Sequence, residues 1–237
     1  MRPAAIGLVL LLLLIAGVCA RLGQWQFSRW QDKRQANAQL ASALVAPPVA
    51  LDGAAALPGL VGHKVEVVGA FDTTRHVLLS REGADGTMGV DVVTPLRLAG
   101  GGAFVLVNRG WIATDSAATI APSAFTSGGE QRFVALLQPI PTHATRLPWV
   151  RLDEALPQRW SARGIDRDTL VARWPDVDAR AQLVALPEGA ASPLTPATPQ
   201  AFNEQEHLSY ALQWTLFTVA ALAGVVFVVT RRRPSAA

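Results

Sequence analysis

Two uncharged apolar runs, one at each end of the chain, constrain this sequence more than any other feature. Pro3 to Ala20 holds 18 residues without a charge, and Leu208 to Thr230 holds 23. At the helical rise these lengths span about 27 and about 34 Å, close to the hydrocarbon thickness of a bilayer. The spacing therefore predicts two transmembrane helices flanking a middle segment. The whole chain is 50% hydrophobic and only 16% charged over 237 residues, which argues against an ordinary cytosolic enzyme.

Charge sets the expected orientation. Arg2 precedes the first run, and Arg231, Arg232 and Arg233 follow the second. Basic flanks at both outer ends place both termini in the cytoplasm and the segment between the runs on the opposite side. All 18 acidic residues lie in that segment, between Arg21 and Glu206, against 17 of the 21 Lys and Arg. The middle is thus nearly neutral, and the basic excess sits in the tails. No basic face remains to suggest nucleic acid. A cleaved signal peptide ending near Val18-Cys19-Ala20 is the competing reading of the first run. Its length and the aromatic belt of Trp25, Phe27 and Trp30 favour a retained anchor. Cys19, the one cysteine, cannot pair within the chain and reads as a small packing residue.

The expected organisation is a transmembrane helix over 1–20, a membrane-proximal helix over 21–45, a β-rich extracytoplasmic domain over 46–206, a second transmembrane helix over 207–230 and a basic cytoplasmic tail over 231–237. The Ala, Pro and Gly content of Ala46 to Leu60 reads as a linker. Strands are expected at His63 to Val67, His76 to Ser80, Gly89 to Leu98, Phe104 to Val107 and Gln131 to Gln138, with a further one at Leu183 to Leu186. Gly69 suggests a bulge or a close backbone approach. One helix is expected from an Asp166 cap to Trp174, stopped by Pro175. Pro187 to Gln200 reads as a Pro, Ala, Ser and Thr tract that returns the chain to the membrane. The fold class is α+β, with a mainly antiparallel, barrel-like domain between two membrane helices.

Chemistry-bearing patterns are sparse. No nucleophile elbow, phosphate loop, paired-histidine zinc motif or calcium loop is present. Asp153-Glu154 and the Asp166, Asp168 pair read as surface charge or a cap, and His63, His76 and His143 as partly exposed polar residues. His207 stands at the start of the second apolar run, with Tyr210, Ala211 and Trp214 at i+3, i+4 and i+7. These share one helical face. Two readings stay open: an imidazole ligand to haem iron beside an aromatic wall, or an interfacial cap of residues that favour that depth. Val107-Asn108-Arg109-Gly110-Trp111 also carries two readings. It is either a partner anchor, since Trp and Arg dominate interfaces, or a structural corner with Gly110 at positive φ.

Several blocks together resemble the Surfeit locus protein one family. They are Leu22-Gly23-Gln24-Trp25-Gln26 with Arg29 and Lys33, Val67 to Asp72, Gly89 to Leu96 followed by Val105 to Trp111, and His207 to Trp214. Four such blocks in order between two membrane helices carry the resemblance, although Pro157 to Ala190 matches loosely and two acids, Glu204 and Glu206, lead into the second helix. The resemblance implies a bacterial inner-membrane assembly factor for cytochrome c oxidase, not an enzyme. It would aid insertion of haem a into oxidase subunit one or stabilise that subunit. It implies haem a held transiently through His207, with Tyr210 and Trp214 alongside. It also implies partner contacts through Trp25, Gln26, Arg29, Asn108, Arg109 and Trp111, and contact with membrane lipid and a haem synthesis enzyme. No metal other than haem iron is expected. Outside the resemblance stand an envelope scaffold without ligand and a membrane-tethered periplasmic hydrolase.

Overall fold

The computed structural model describes residues 3–83, 85–120, 128–142, 148–152, 158–186, 194–197, 199 and 201–231. His143, Asp153, Glu154 and most of the Pro187 to Gln200 tract lie outside the described residues, as do Arg232 and Arg233. The chain divides into two compact units, one of Met1–Gln39 with Ala201–Ala237 and one of Leu40–Gln200.

The first unit is a helix pair. Helix α1 runs without a break over Pro3–Val45. Pro3 suits a helix start, where a missing N–H costs nothing, and the Pro47-Pro48 pair follows its end. Its mate is the last helix of the chain, Gln205–Thr230. Both are long and apolar enough to cross a membrane. Their large apolar side chains face outward: Leu14 is 65% exposed and Leu216 68%. Only a narrow seam of small residues is buried, Ala16, Cys19 and Gly23 on α1 and Ala211 and Ala221 on its mate. The pair is antiparallel, since Leu12 meets Gly224 while Gly23 meets Trp214. Small residues let two helical backbones approach without a large apolar interface.

The second unit is a β-barrel with an extension. Strand β1 (Val49–Ala50) and a 3-10 turn (Ala54–Ala56) lead to the short helix α2 (Leu57–Leu60). Strands β2 (Lys64–Phe71), β3 (His76–Glu82), β4 (Met88–Leu98), β5 (Phe104–Ala113) and β6 (Glu130–Pro139) follow. Then come β7 (Val150–Arg151), β8 (Arg159–Ala162), helix α3 (Arg167–Arg173) and β9 (Val177–Ala185), with the helix Gln205–Thr230 as α4. Strands β2, β6, β9, β5 and β4 form a ring, closed because β4 also pairs with β2. All pairings in the ring are antiparallel except β5 with β9.

Closure depends on β4 changing partners. Its first half pairs with β3 from Met88 to Val93, and its end pairs with β2 from Leu96 to Leu98. Pro95 falls between the two, where a missing N–H leaves no ladder bond broken. Gly69 lies at the closing seam, opposite Leu98 on one side and Gln131 on the other. A Cβ there would collide with the Arg97 carbonyl oxygen. Gly69 is therefore a close approach rather than a bulge. The irregular registers fall instead between Asp91 and Val93 in β4 and between Val105 and Leu106 in β5.

Several expectations are corrected here. Ala46 to Leu60 is not a linker. Leu51, Ala54 and Leu57 are buried in the main core with Val65, Val67, Leu96, Val105, Phe133, Leu137 and Leu183. Apolar residues at 51, 54 and 57 plug the barrel, while Gly and Pro bend the chain around them. The last expected strand is longer than Leu183 to Leu186, since it begins at Val177 and forms part of the ring. Helix α3 follows the expectation closely: the Asp166 carboxylate accepts from the Thr169 N–H at 2.8 Å, and Trp174 caps the other end. A second core gathers Val77, Leu106, Trp149, Trp160, Leu170 and Trp174 around α3 and the β3, β8, β7 extension.

Candidate functional site

The helix pair builds its polar site from its packing. Backbones approach where Gly23 faces α4, close enough that a Cβ on Gly23 would touch the Trp214 Cβ at 3.4 Å and the Ala211 carbonyl at 3.6 Å. One turn onward along α1 is Gln26, and one turn back along α4 is His207. In an antiparallel pair these two positions meet. The His207 Nδ1 lies 2.7 Å from the Gln26 Oε1. An amide oxygen only accepts, so this contact is a hydrogen bond in the tautomer that carries its proton on Nδ1. His207 is half-buried, and its Nε2 makes no hydrogen bond among the described residues.

A second clasp lies about three turns further along α1. The Phe202 N–H donates to the Asn37 Oδ1 at 2.8 Å, and the Asn37 side-chain amide donates to the Phe202 carbonyl at 2.9 Å. This pairing fixes the chain just before α4. Sequence reasoning missed Asn37, because a lone Asn on the polar stretch of a long helix carries no local signal.

The remaining residues of the expected haem wall separate. Trp214 is half-buried against α1 and packs edge-on to Phe217 at 5.8 Å. Tyr210 stands at the edge of that face and is 45% exposed. Trp25 is likewise 45% exposed. Arg29 approaches Asp32 at 3.8 Å as an open surface pair, an arrangement of little energetic weight.

The Asn108 to Trp111 block is not a corner at the end of a strand. It lies inside β5, which continues to Ala113. Asn108 Oδ1 accepts from the Gly110 N–H at 3.1 Å. Arg109 is buried, with its guanidinium 4.3 Å over the Phe71 ring. Burial lowers its pKa to about 10, leaving it charged at neutral pH. Gly110 adopts φ 132, as the corner reading required, and without a side chain it admits the Thr195 backbone. Trp111 and Thr195 exchange two backbone hydrogen bonds at 2.7 and 3.0 Å. The indole of Trp111 lies against Gly83 and Gly89. The block thus staples the return tract, with buried Leu194 and Ala197, onto the barrel. Among the described residues of that tract, Thr195 is docked there.

His76 is another correction. It is 2% exposed rather than partly exposed. Its Nδ1 lies 3.0 Å from Thr94 Oγ1, and its Nε2 lies 3.0 Å from the Thr73 carbonyl. Burial, aided by the Arg109 and Arg159 charges, pushes its pKa down to about 4. It is a neutral core residue. His63 is exposed, as expected. Beyond these, arginines interleave with aromatic rings in the second core. Arg173 lies 3.8 Å over Trp160, and Arg75 lies 4.5 Å over Phe104 while also bonding Asp72 and Asp176. These partners are up to 101 residues apart in sequence, so no local pattern announces them.

No group of three or more His, Cys, Asp or Glu side chains able to hold a metal ion occurs among the described residues. A single imidazole is a sufficient protein ligand for haem iron. With Nδ1 against Gln26, Nε2 is the His207 nitrogen that would be left to hold haem iron.

A family model described as the SURF1 family matches residues 13–219. The chain belongs to the SURF1 family. The matched span includes Gly23, Gln26, the Asn108 to Trp111 block and His207. Among similar proteins, a SURF1-like protein of Monosiga brevicollis is 28% identical, the alignment covering 96% of this chain and 88% of that one. A SURF1-like protein of Rickettsia felis is 24% identical, covering 94% and 96%. The Surfeit locus protein 1 of Homo sapiens is 28% identical, covering 86% of this chain and 71% of its own. SURF1-family membership thus extends over both the helix pair and the barrel.

Proposed function

We propose that this protein is a non-enzymatic assembly factor for cytochrome c oxidase, anchored in a bacterial inner membrane by α1 and α4. In this reading both termini are cytoplasmic and the barrel is periplasmic. The protein aids delivery of haem a to oxidase subunit one, and a haem synthesis enzyme is the expected source. The observation that carries the reading is the Gln26–His207 hydrogen bond at the head of α4. It orients the His207 imidazole between two helices whose outward surface is apolar. Haem bound there would supply an iron centre in an apolar porphyrin, and His207 would hold it through Nε2. Trp214 and Tyr210 would offer aromatic surface beside it, the first half-buried and the second exposed.

The filled barrel favours the helix pair as the place for such a ligand. Its interior is occupied by the side chains of its own core and by the Leu51 to Leu57 plug. A barrel that carries a small ligand inside leaves that space empty.

The test is spectroscopic. The protein, co-produced with haem synthesis and purified in detergent, is expected to show a Soret band. His207→Ala should abolish or shift it without loss of membrane insertion, because the apolar run of α4 is untouched. Trp214→Ala should weaken retention more mildly, since only packing is removed. An unchanged spectrum in His207→Ala removes His207 as the ligand. Reporter fusions at residue 237 and near Gly128 test orientation, with activity expected in the cytoplasm for the first and outside it for the second.

A further inference from the structure

Gln26 has a more specific task than holding two helices together. We infer that Gln26 is a positioning residue that fixes His207 as the Nδ1–H tautomer and so leaves Nε2 as the atom that binds. The inference rests on the haem reading for what Nε2 binds, but not for the tautomer itself.

A neutral imidazole has one N–H and one lone pair. A free histidine side chain in water prefers the proton on Nε2, the wrong arrangement for a ligand that must use that nitrogen. Gln26 reverses the preference by turning its amide oxygen rather than its NH2 group to the ring, as seen here with Oε1 2.7 Å from Nδ1, since that oxygen pairs only with a protonated Nδ1. The helices impose this partner. Gly23 and Ala211 bring the backbones together one turn away, so Gln26 and His207 face each other. Most carboxylates in the chain lie elsewhere. Glu204, one turn before His207, is itself engaged by Asn37 at 3.5 Å, and Glu206 is exposed.

The chemistry of the partner matters as much as its place. A carboxylate accepting from Nδ1–H gives the ring imidazolate character and strengthens its bond to iron. A neutral amide orients the ring without that electron push. An amide partner therefore suits a protein that must give its haem up, where a carboxylate would suit one that keeps it.

The experiment uses the full-length protein in detergent micelles, without haem, with 15N-labelled histidine. His207→Ala assigns the His207 signals among the four histidines. Nδ1 is expected in the protonated range and Nε2 in the unprotonated range. Gln26→Leu should exchange the two, and Gln26→Glu, which keeps an acceptor in place, should restore them. A wild-type His207 protonated on Nε2, or a tautomer unchanged in Gln26→Leu, overturns the proposal. Haemin titration is the second arm. Gln26→Leu should weaken binding about ten- to hundredfold, the usual effect of losing an outer partner of a ligand. Gln26→Glu should raise the iron–histidine stretching frequency of the ferrous complex and slow haemin release. Haemin binding that ignores both Gln26 and His207 overturns the haem reading and the ligand half of the proposal, even where the tautomer result holds.

Discussion

The barrel and the helix pair spend their unusual residues in opposite ways. In the barrel, features that look functional in sequence are consumed by the fold. Arg109 lies buried against Phe71, His76 bonds Thr94 and Thr73, Trp111 lies on two glycines, and the Gly110 backbone meets Thr195. In the helix pair, the polar contacts are few and spaced several turns apart, and the large apolar side chains face outward. Of the two buried or half-buried imidazoles among the described residues, only that of His207, in the helix pair, has a ring nitrogen without a hydrogen bond. The comparison teaches that a rare residue in a densely packed unit points first to architecture. The same residue type in a sparsely packed unit is the better candidate for binding.

The largest break of this contrast is expected at the barrel seam. Gly69→Glu forces a side chain against the Arg97 carbonyl and sets a charge in packed strand surface. A cost on the order of 4 kcal/mol follows, enough to deplete a protein of ordinary marginal stability. Steady-state abundance, measured by immunoblot, should fall severalfold. Normal abundance with lost oxidase assembly would place a contact site on the barrel and undo the comparison.

A pH titration of the barrel sharpens it further. His76 has a folded pKa of about 4 against an ordinary 6.5, so the unfolded chain binds this proton more readily. The stability tied to neutral His76 is complete above pH 6.5 and is lost as pH falls toward 4. The total is about 3 kcal/mol at roughly 1.4 kcal/mol per pH unit. The melting temperature should drop across that window, and His76→Gln should flatten the drop. An equally steep profile in His76→Gln would assign the effect to carboxylates instead.

The smallest effect belongs to the helix pair. Asn37→Ala removes both bonds to Phe202, for a loss of about 1–2 kcal/mol at most. Amide exchange at Phe202 should accelerate while the barrel strands keep their protection. Loss of protection in β2 or β6 would show that the two units do not respond separately.

How much was legible follows the range of each interaction. Apolar runs of bilayer length, the Asp166 cap before Thr169, and the need for glycine at positions 69 and 110 are local properties, and the structure bears them out. The Ala46 to Leu60 stretch misled because Gly, Pro and Ala mark a loop by composition, whereas Leu51 and Leu57 are placed by what they fill. Asn108 to Trp111 misled because a polar interruption mimics a strand end. Here the docked Thr195 backbone and Phe71 ring absorb it within β5.

By itself, then, the sequence determined the helices, their outward apolar surface, the presence of a mainly antiparallel β domain and the residues worth attention. Tertiary structure alone decided that β4 closes the ring on β2, that His76 is neutral and buried, and that Gln26 meets His207 across 181 residues. The physical reason is reach. Periodicity and capping act within a turn or two of the chain, while closure, desolvation and a hydrogen bond between distant helices exist only once packing has brought the partners together.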